Sequence, residues 1–508
     1  MMVAPTPRFA LADLVSPYVD LDTAARTALA EITPTDMCMD SRQVKPGDLF
    51  LACGGRRAHG QTFIEQAVSA GAVAVLWECG DNTPCVPLNW RSSPKGRRVP
   101  LIAVPQLSSR VGVLADQFYG HPSADLFVVG VTGTNGKTSC SQFLAQTLQA
   151  DQPCGVMGTL GHGIPPQLVQ TGHTTPDAVT CHRWLAEMRD AGVSCVSMEV
   201  SSHALDQGRV DGVRFDCAVF TNLTREHLDY HGDMAAYQQA KSSLFHMPGL
   251  RYAVINSDDP FGRRLLSLIP DSVEIVTYGL DCNTLRPTVC GQALQLTDHG
   301  MHLTVNSAWG SANLDAPLFG RFNASNLLAV FGVLLLHGVP LPEVVSRLAR
   351  VKPVAGRLER FEKKNKPRVF VDYAHTPDAL EQVLGTLADH TRGKLWCVFG
   401  CGGERDRGKR PLMGEIAERL ADFVVLTDDN PRHEDPLNII EDIQRGMHDV
   451  DAIYVQRDRR EAIRLAITNA QAEDIILVAG KGHEDYQLIG DETRFFSDAD
   501  EVRALLES

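Results

Sequence analysis

The sequence predicts an α/β protein of three domains: a small N-terminal α/β domain, a central domain with a mainly parallel sheet, and a C-terminal Rossmann-like domain. Three observations predict it. The chain has 508 residues, and at roughly 150 residues per domain that is more than one hydrophobic core holds. Short β-branched runs alternate with stretches of helical apolar spacing, the pattern of a parallel sheet with helices on its faces. That alternation pauses near residue 352 and restarts at residue 368.

The N-terminal domain, residues 1–105, carries apolar runs at 48–53 (DLFLAC) and 72–77 (AVAVLW). A polar, proline-bearing stretch at 89–98 follows and reads as a surface loop. The central domain, residues 106–352, opens with a strand at 126–131 (LFVVGV) that runs into a glycine loop and then a helix at 139–148. Strands at 194–200 and 217–223 each follow a helical stretch. The C-terminal domain, residues 353–508, places strands at 368–372, 394–399, 423–427 and 474–479 with helices between them.

Composition excludes several classes. With 44% hydrophobic and 22% charged residues and no low-complexity tract, the chain is globular rather than disordered. A formal net charge of -14 and the lack of a Lys/Arg run argue against a nucleic-acid binder, so an anionic ligand must be gripped locally. The thirteen cysteines show no CxxC pair and read as small buried hydrophobes in a reducing compartment. The N-terminus lacks the pattern of a signal peptide, and the longest apolar run, 327–336, is too short to cross a bilayer. A cytoplasmic monomer without membrane insertion is expected.

The chemistry starts at residues 130–139, GVTGTNGKTS. Backbone N–H groups converging at a helix N-terminus bind phosphate, and glycines let the chain come close. Gly133, Thr134, Asn135, Gly136, Lys137, Thr138 and Ser139 are therefore the expected ATP contacts, which makes the central domain P-loop ATPase-type. Lys137 is placed against the β- and γ-phosphates and Thr138 on Mg²⁺. Val131 stands where the commoner GxxxxGK[ST] pattern has its first glycine. Magnesium serving a nucleotide takes oxygen ligands at the carboxyl ends of parallel strands, where Glu199 sits and which His227 and Asp229 follow. Lys241, by helical spacing alone, reads as a snorkelling surface lysine.

An ordered set of motifs adds to this reading: MDSR at Met39, GTNGKTS at Gly133, TTP at Thr174, EVSSHAL at Glu199, NLTREHLDYHG at Asn222, AKSSLF at Ala240, GRFNASN at Gly320, GRLE at Gly356, DYAHTPDAL at Asp372, GCGGERDRGKRP at Gly400, DDNPR at Asp428 and GKGHE at Gly480. Together they resemble the Mur ligases, the ATP-dependent amino-acid-adding enzymes of bacterial peptidoglycan synthesis. The resemblance implies that Lys241 is carbamylated and shares a magnesium ion with Thr138, Glu199 and His227. It implies that Asn323 and Arg357 lie near ATP, and that Asp372 and His375 lie at the ribose or the hinge.

Within the family, Asp429-Asn430-Pro431-Arg432 resembles the signature of members that add meso-diaminopimelate to UDP-N-acetylmuramoyl-L-alanyl-D-glutamate. Diaminopimelate differs from lysine by a carboxylate, which a planar guanidinium grips bidentately. The resemblance implies Arg405 and Arg432 as the clamp, with Gly480 and Glu484 on the ammonium. For the UDP-dipeptide it implies Met39, Ser41, His173, Thr174, Thr175, Ser201, Gln207 and Arg209. His173 stands where the family often has Asn, which leaves its role open. Arg56, Arg57 and His59 either meet the uridine diphosphate or belong to a solvated loop. A lysine-adding sister enzyme, a folate polyglutamate ligase and a nucleotide switch are the competing readings. A dinucleotide oxidoreductase fails, because the run from Gly400 to Arg405 lacks the last glycine of GxGxxG.

Overall fold

Three β-sheets organise the chain in a computed structural model that describes residues 9–55, 59–80, 87–150, 152–170, 172–297, 299–449 and 453–507. The first has five strands, in which Met37–Cys38, Leu49–Ala52, Ala74–Cys79 and Arg98–Pro105 run parallel. Leu88–Ser92 closes its edge antiparallel to Arg98–Pro105. The polar stretch read as a loop thus contains an edge strand. Its side chains are largely solvent-exposed, so it carries no apolar alternation to betray it.

The central sheet has eleven strands. Phe127–Thr132 lies in its middle, hydrogen-bonded in parallel to Cys195–Glu199 on one side and Cys217–Phe220 on the other. Its alternating side chains feed two cores: Val129 and Val131 pack with Phe143, Leu144 and Phe331, whereas Val128 packs with Met198, Phe215 and Phe220. A strand buried on both faces reads as a continuous β-branched run. Antiparallel ribbons flank this parallel centre at both edges, Gly161–Ile164 with Gln167–Val169 and Gly300–Ser307 with Gly310–Ala316.

The third sheet has six strands, of which Arg368–Asp372, Ile475–Ala479, Leu395–Phe399, Phe423–Leu426 and Ile453–Val455 are parallel. Glu359–Phe361 joins its edge antiparallel, and a separate ribbon pairs Tyr486–Ile489 with Glu492–Phe495. Capping fixes the helices that approach the sites. Asp177, Ser201 and Thr376 each accept a backbone N–H in the first turn of the helix they open.

Ten described cysteines are free and eight of those are buried. Cys282 and Cys290 depart from the all-thiol expectation by forming a disulfide. Among the described residues no helix is long and apolar enough to cross a membrane.

Candidate active site

Parallel strands deliver their carboxyl ends to one place, and here three neighbours do so together. Phe127–Thr132 leads to Gly133, Cys195–Glu199 ends on Glu199, and Cys217–Phe220 leads to Thr221 and Asn222. Gly133 and Gly136 have φ of 152° and 86°, and a Cβ on them would stand 1.9 Å from Thr221 Oγ1 and 2.6 Å from Asn326 Oδ1. Only glycine allows both the conformation and the approach. The loop opens the helix Lys137–Leu148, whose N-terminal N–H groups and dipole favour an anion.

A cavity of about 530 Å³ is lined here by Gly136, Lys137, Thr138, Ser139, Glu199 and Lys241. Thr138 Oγ1 donates to Glu199 Oε2 across 2.9 Å. Thr159 holds the same carboxylate by its backbone N–H at 2.8 Å and its hydroxyl at 3.1 Å. Lys137 Nζ donates to the carbonyls of Gly133 and Thr134, both at 2.8 Å. Lys241 Nζ donates to that same Gly133 oxygen, also at 2.8 Å.

Lys241 is 1% exposed, so its helix Met234–Ser242 turns the lysine inward and the snorkelling reading is corrected. Its ammonium lies over the Tyr237 ring, 4.5 Å from the centroid. Burial pushes its pKa well below the ordinary lysine value, and the charge of Lys137 acts in the same direction. Lys137 is lowered too, chiefly by burial.

His227 sits at φ 57°, a left-handed conformation in which histidine is several-fold enriched among non-glycine residues. Its ring packs edge-on against His203 at 4.6 Å, and its Nε2 lies 3.6 Å from Glu226. Asp229 is exposed and lies off the cavity wall. Glu226, which sequence reasoning passed over, stands between His227 and His375 Nε2, the latter at 3.5 Å. Burial would raise its pKa, but the bond from His375 and the charges of His227, His375 and Lys137 outweigh burial and hold the carboxyl well below its usual range.

The C-terminal part completes the cavity. Arg357 Nη2 donates to Thr138 Oγ1 at 3.1 Å, and Asn135 Nδ2 donates to Asp378 Oδ2 at 3.0 Å. Asn323 is buried one layer behind the wall, where its Oδ1 accepts from Asn326 Nδ2 at 3.2 Å; Asn326 itself lines the cavity. Asp372 caps the backbone of Leu358 and Ala374.

A second cavity of about 380 Å³ brings together Met39, His173, Gln207 and Arg209 with Gly54 and Ser108. Arg209 Nη1 donates to the Thr175 carbonyl at 3.0 Å, and its Nε donates to Gln207 Oε1 at 2.9 Å. Thr175 Oγ1 donates to the Glu199 carbonyl at 2.9 Å and accepts from Ser201 N at 3.1 Å. Thr174 Oγ1 donates to Thr159 Oγ1 at 3.1 Å, since the single Thr159 hydroxyl proton is taken by Glu199. The two cavities are thereby joined through residues 174–175 and 201. Ser41 lies off this wall, its hydroxyl donating to Gln66 Oε1 at 3.0 Å. His59 opens a short 3-10 turn, while Arg56 and Arg57 fall outside the described residues.

The segment 429–432 lies against the loops 402–405 and 480–484. A Cβ on Gly402 would be 3.0 Å from Arg432 Nη1 and 3.7 Å from Arg405 Cγ, so both arginines flank that glycine. Arg432 Nη1 donates to the Gly403 carbonyl at 2.8 Å, while Arg405 is exposed. Asn430 Nδ2 donates to Glu484 Oε2 at 2.9 Å. Asp429 lies beside Gly480, whose added Cβ would be 2.7 Å from its Oδ2, and Pro431 is buried between them in the chain. Tyr373 connects this region to the first cavity: its ring lines that cavity and lies 5.2 Å from His483.

A phosphate loop in a parallel sheet, a second cavity joined to it and a third domain that completes the first cavity define an ATP-dependent ligase of three domains. The chain belongs to the Mur ligase family. It matches the Mur ligase family catalytic domain over residues 35–119, the Mur ligase middle domain over 131–334 and the Mur ligase glutamate ligase domain over 356–482. It is 50% identical to a UDP-N-acetylmuramoyl-L-alanyl-D-glutamate--2,6-diaminopimelate ligase of Alkalilimnicola ehrlichii, with 97% of each chain covered. It is 45% identical to the Coxiella burnetii protein of that name, covering 96% of this chain and 98% of the other. A solved structure of a ligase with the same name superposes with a TM-score of 0.69 at 35% identity, covering 98% of this chain and 99% of that one.

Proposed function

We propose that this chain joins meso-diaminopimelate to the D-glutamate of UDP-N-acetylmuramoyl-L-alanyl-D-glutamate at the expense of ATP, in peptidoglycan precursor synthesis. The observation that carries the reading is the unbroken line of contacts from Arg209 through Thr175 and Ser201 to Glu199 and Thr138. A substrate held in the second cavity extends along that line toward the phosphate loop. The near-full-length relatives supply the choice of amino acid.

In this reading residues 1–105 hold the UDP end, residues 106–352 hold ATP and residues 353–508 hold the incoming amino acid. Lys137 leaves the loop carbonyls for the phosphate chain. The side-chain carboxylate of D-glutamate attacks the γ-phosphorus, ADP departs and an acyl phosphate forms. The diaminopimelate amine then attacks the acyl carbon, inorganic phosphate leaves and the amine proton is released. Arg405 and Arg432 hold the distal carboxylate, Glu484 and Gly480 the distal ammonium. Such catalysis is largely positioning and electrostatic stabilisation in a closed, water-poor site.

Thr138 and Glu199, a hydroxyl and a carboxylate already in contact, suit an oxygen-seeking magnesium ion. The ion's other ligands would come from the nucleotide and a carbamate on Lys241. When bound, it would screen the negative charge between phosphate and carboxylate. The lowered pKa of Lys241 leaves more of it as the neutral amine, the form that adds to carbon dioxide and releases a proton to give that carbamate.

The test is ADP release measured with ATP, the UDP-dipeptide and a panel of amino acids. Release that requires both the UDP-dipeptide and meso-diaminopimelate, with lysine a poor substitute, is the expected result. ATP turnover indifferent to both would overturn the reading.

A further inference from the structure

Lys481 has no place in the reading above, yet its side chain is fully buried against Glu484, which does, and against Asn430 of the 429–432 segment. Its Nζ donates to Asn430 Oδ1 at 3.3 Å and to Glu484 Oε2 at 3.2 Å. It also lies 5.4 Å from the centroid of the Tyr486 ring. Burying an ammonium is costly unless it is paired and hydrogen-bonded. Here one partner, Glu484, is placed at the amino acid by the proposed function, and the other, Asn430, is two residues from Arg432, which that reading also places there.

The hydrogen bonds of Asn430 show what the ammonium does. Asn430 Nδ2 donates to Glu484 Oε2, while its Oδ1 accepts from Lys481 and from Leu488 N at 2.9 Å. Turning the carboxamide over would set its NH₂ against an ammonium and a backbone N–H, and its oxygen against a carboxylate. One orientation is therefore imposed. The Asn430 carbonyl in turn accepts from Gly403 N at 3.0 Å and from Arg432 Nη1 at 3.4 Å. Arg432 itself sits at φ 54°, a conformation its surroundings must maintain. The Leu488 carbonyl accepts from Arg432 N at 3.0 Å, and Gly490 N donates to the Arg432 carbonyl at 2.7 Å.

We propose that Lys481 is a positioning residue for amino-acid choice, an inference that rests on the ligase reading. Its ammonium ties the carboxylate of Glu484 to the Asn430 carboxamide, whose residue's backbone carbonyl accepts from the Arg432 guanidinium, and so holds the two charged groups on one linked frame. A carboxylate and a guanidinium held together offer one partner each to the ammonium and the carboxylate of a single amino-acid centre, which meso-diaminopimelate carries at its distal end. Lysine carries the ammonium alone. Both recorded bonds to Glu484 use Oε2, leaving Oε1 for the substrate.

The test compares wild type with Lys481→Met, which keeps the alkyl stem, and Lys481→Gln, which keeps a donor without the charge. Wild-type turnover with meso-diaminopimelate is measured first, so that failure of the ligase reading shows in wild type and failure of the Lys481 proposal only in the variants. For Lys481→Met the KM for meso-diaminopimelate rises about tenfold or more while the KM for ATP stays within about twofold. The kcat/KM preference for meso-diaminopimelate over L-lysine falls about tenfold, with Lys481→Gln intermediate. Equal effects on ATP and meso-diaminopimelate, or a lowered Tm with selectivity unchanged, would overturn the proposal. Where Lys481→Met does not fold, Lys481→Gln is judged by the same two measurements.

Discussion

Arg357 and Thr138 are 219 residues apart in sequence, yet the guanidinium donates to the threonine hydroxyl across 3.1 Å. The arginine also lies over the Tyr373 ring, 4.5 Å from its centroid. Hydrogen bonds to charged groups are worth about 1.5–3 kcal/mol, so Arg357→Ala raises the KM for ATP about ten- to hundredfold. Steady-state kinetics at saturating UDP-dipeptide and amino acid measure it. An unchanged KM for ATP would assign the arginine to domain packing alone.

Arg432→Ala raises the KM for meso-diaminopimelate by about one to two orders of magnitude, because a charge-assisted contact to the distal carboxylate is lost. The KM for ATP stays within about twofold. Equal changes in both constants count against the clamp.

Lys241→Ala loses activity, and a short carboxylic acid added at millimolar concentration restores part of it. The cavity left by the side chain opens beside Gly133, where such an acid supplies the carboxylate of the carbamate. A variant as active as wild type would refute the modification.

Glu434 supplies a pH test of stability. Its hydrogen bonds from Arg410 hold its carboxyl at about 2, below the ordinary 4.5. A carboxylate depressed by folding stabilises fully above its unfolded pKa, ~4.3, and loses that contribution as pH falls through the folded value. Glu434→Gln therefore lowers the Tm near neutral pH, and the gap to wild type closes on acidification toward pH 2. Thermal melts across that window decide it, and a gap independent of pH would show that charge is not the cause.

Sequence legibility followed burial. Phe127–Thr132 was readable because a strand buried on both faces is a β-branched run, and GKT after it names the loop. Leu88–Ser92 was not, because an exposed edge strand has no apolar pattern. Lys241 lay hidden for a related reason: its helix has only Tyr237 and Lys241 buried, too few for periodicity to show which face turns inward. Glu226 and Lys481 owe their surroundings to His375 and Asn430, partners 149 and 51 residues away in number. Spacing within one segment carries no information about such pairs. Asn326 sat within a quoted motif, yet nothing in the motif says which of its two asparagines faces the cavity.

The main cavity has walls from both sides of a joint, with Asn135 meeting Asp378, Thr138 meeting Arg357 and Glu226 meeting His375. Its width is therefore set by the angle between the two parts. A nucleotide long enough to touch both walls acts as a spacer that sets the gap, and a shorter one leaves it unset. Affinity for ATP and the reach of Arg432 toward the bound dipeptide thus become two readings of one mechanical variable.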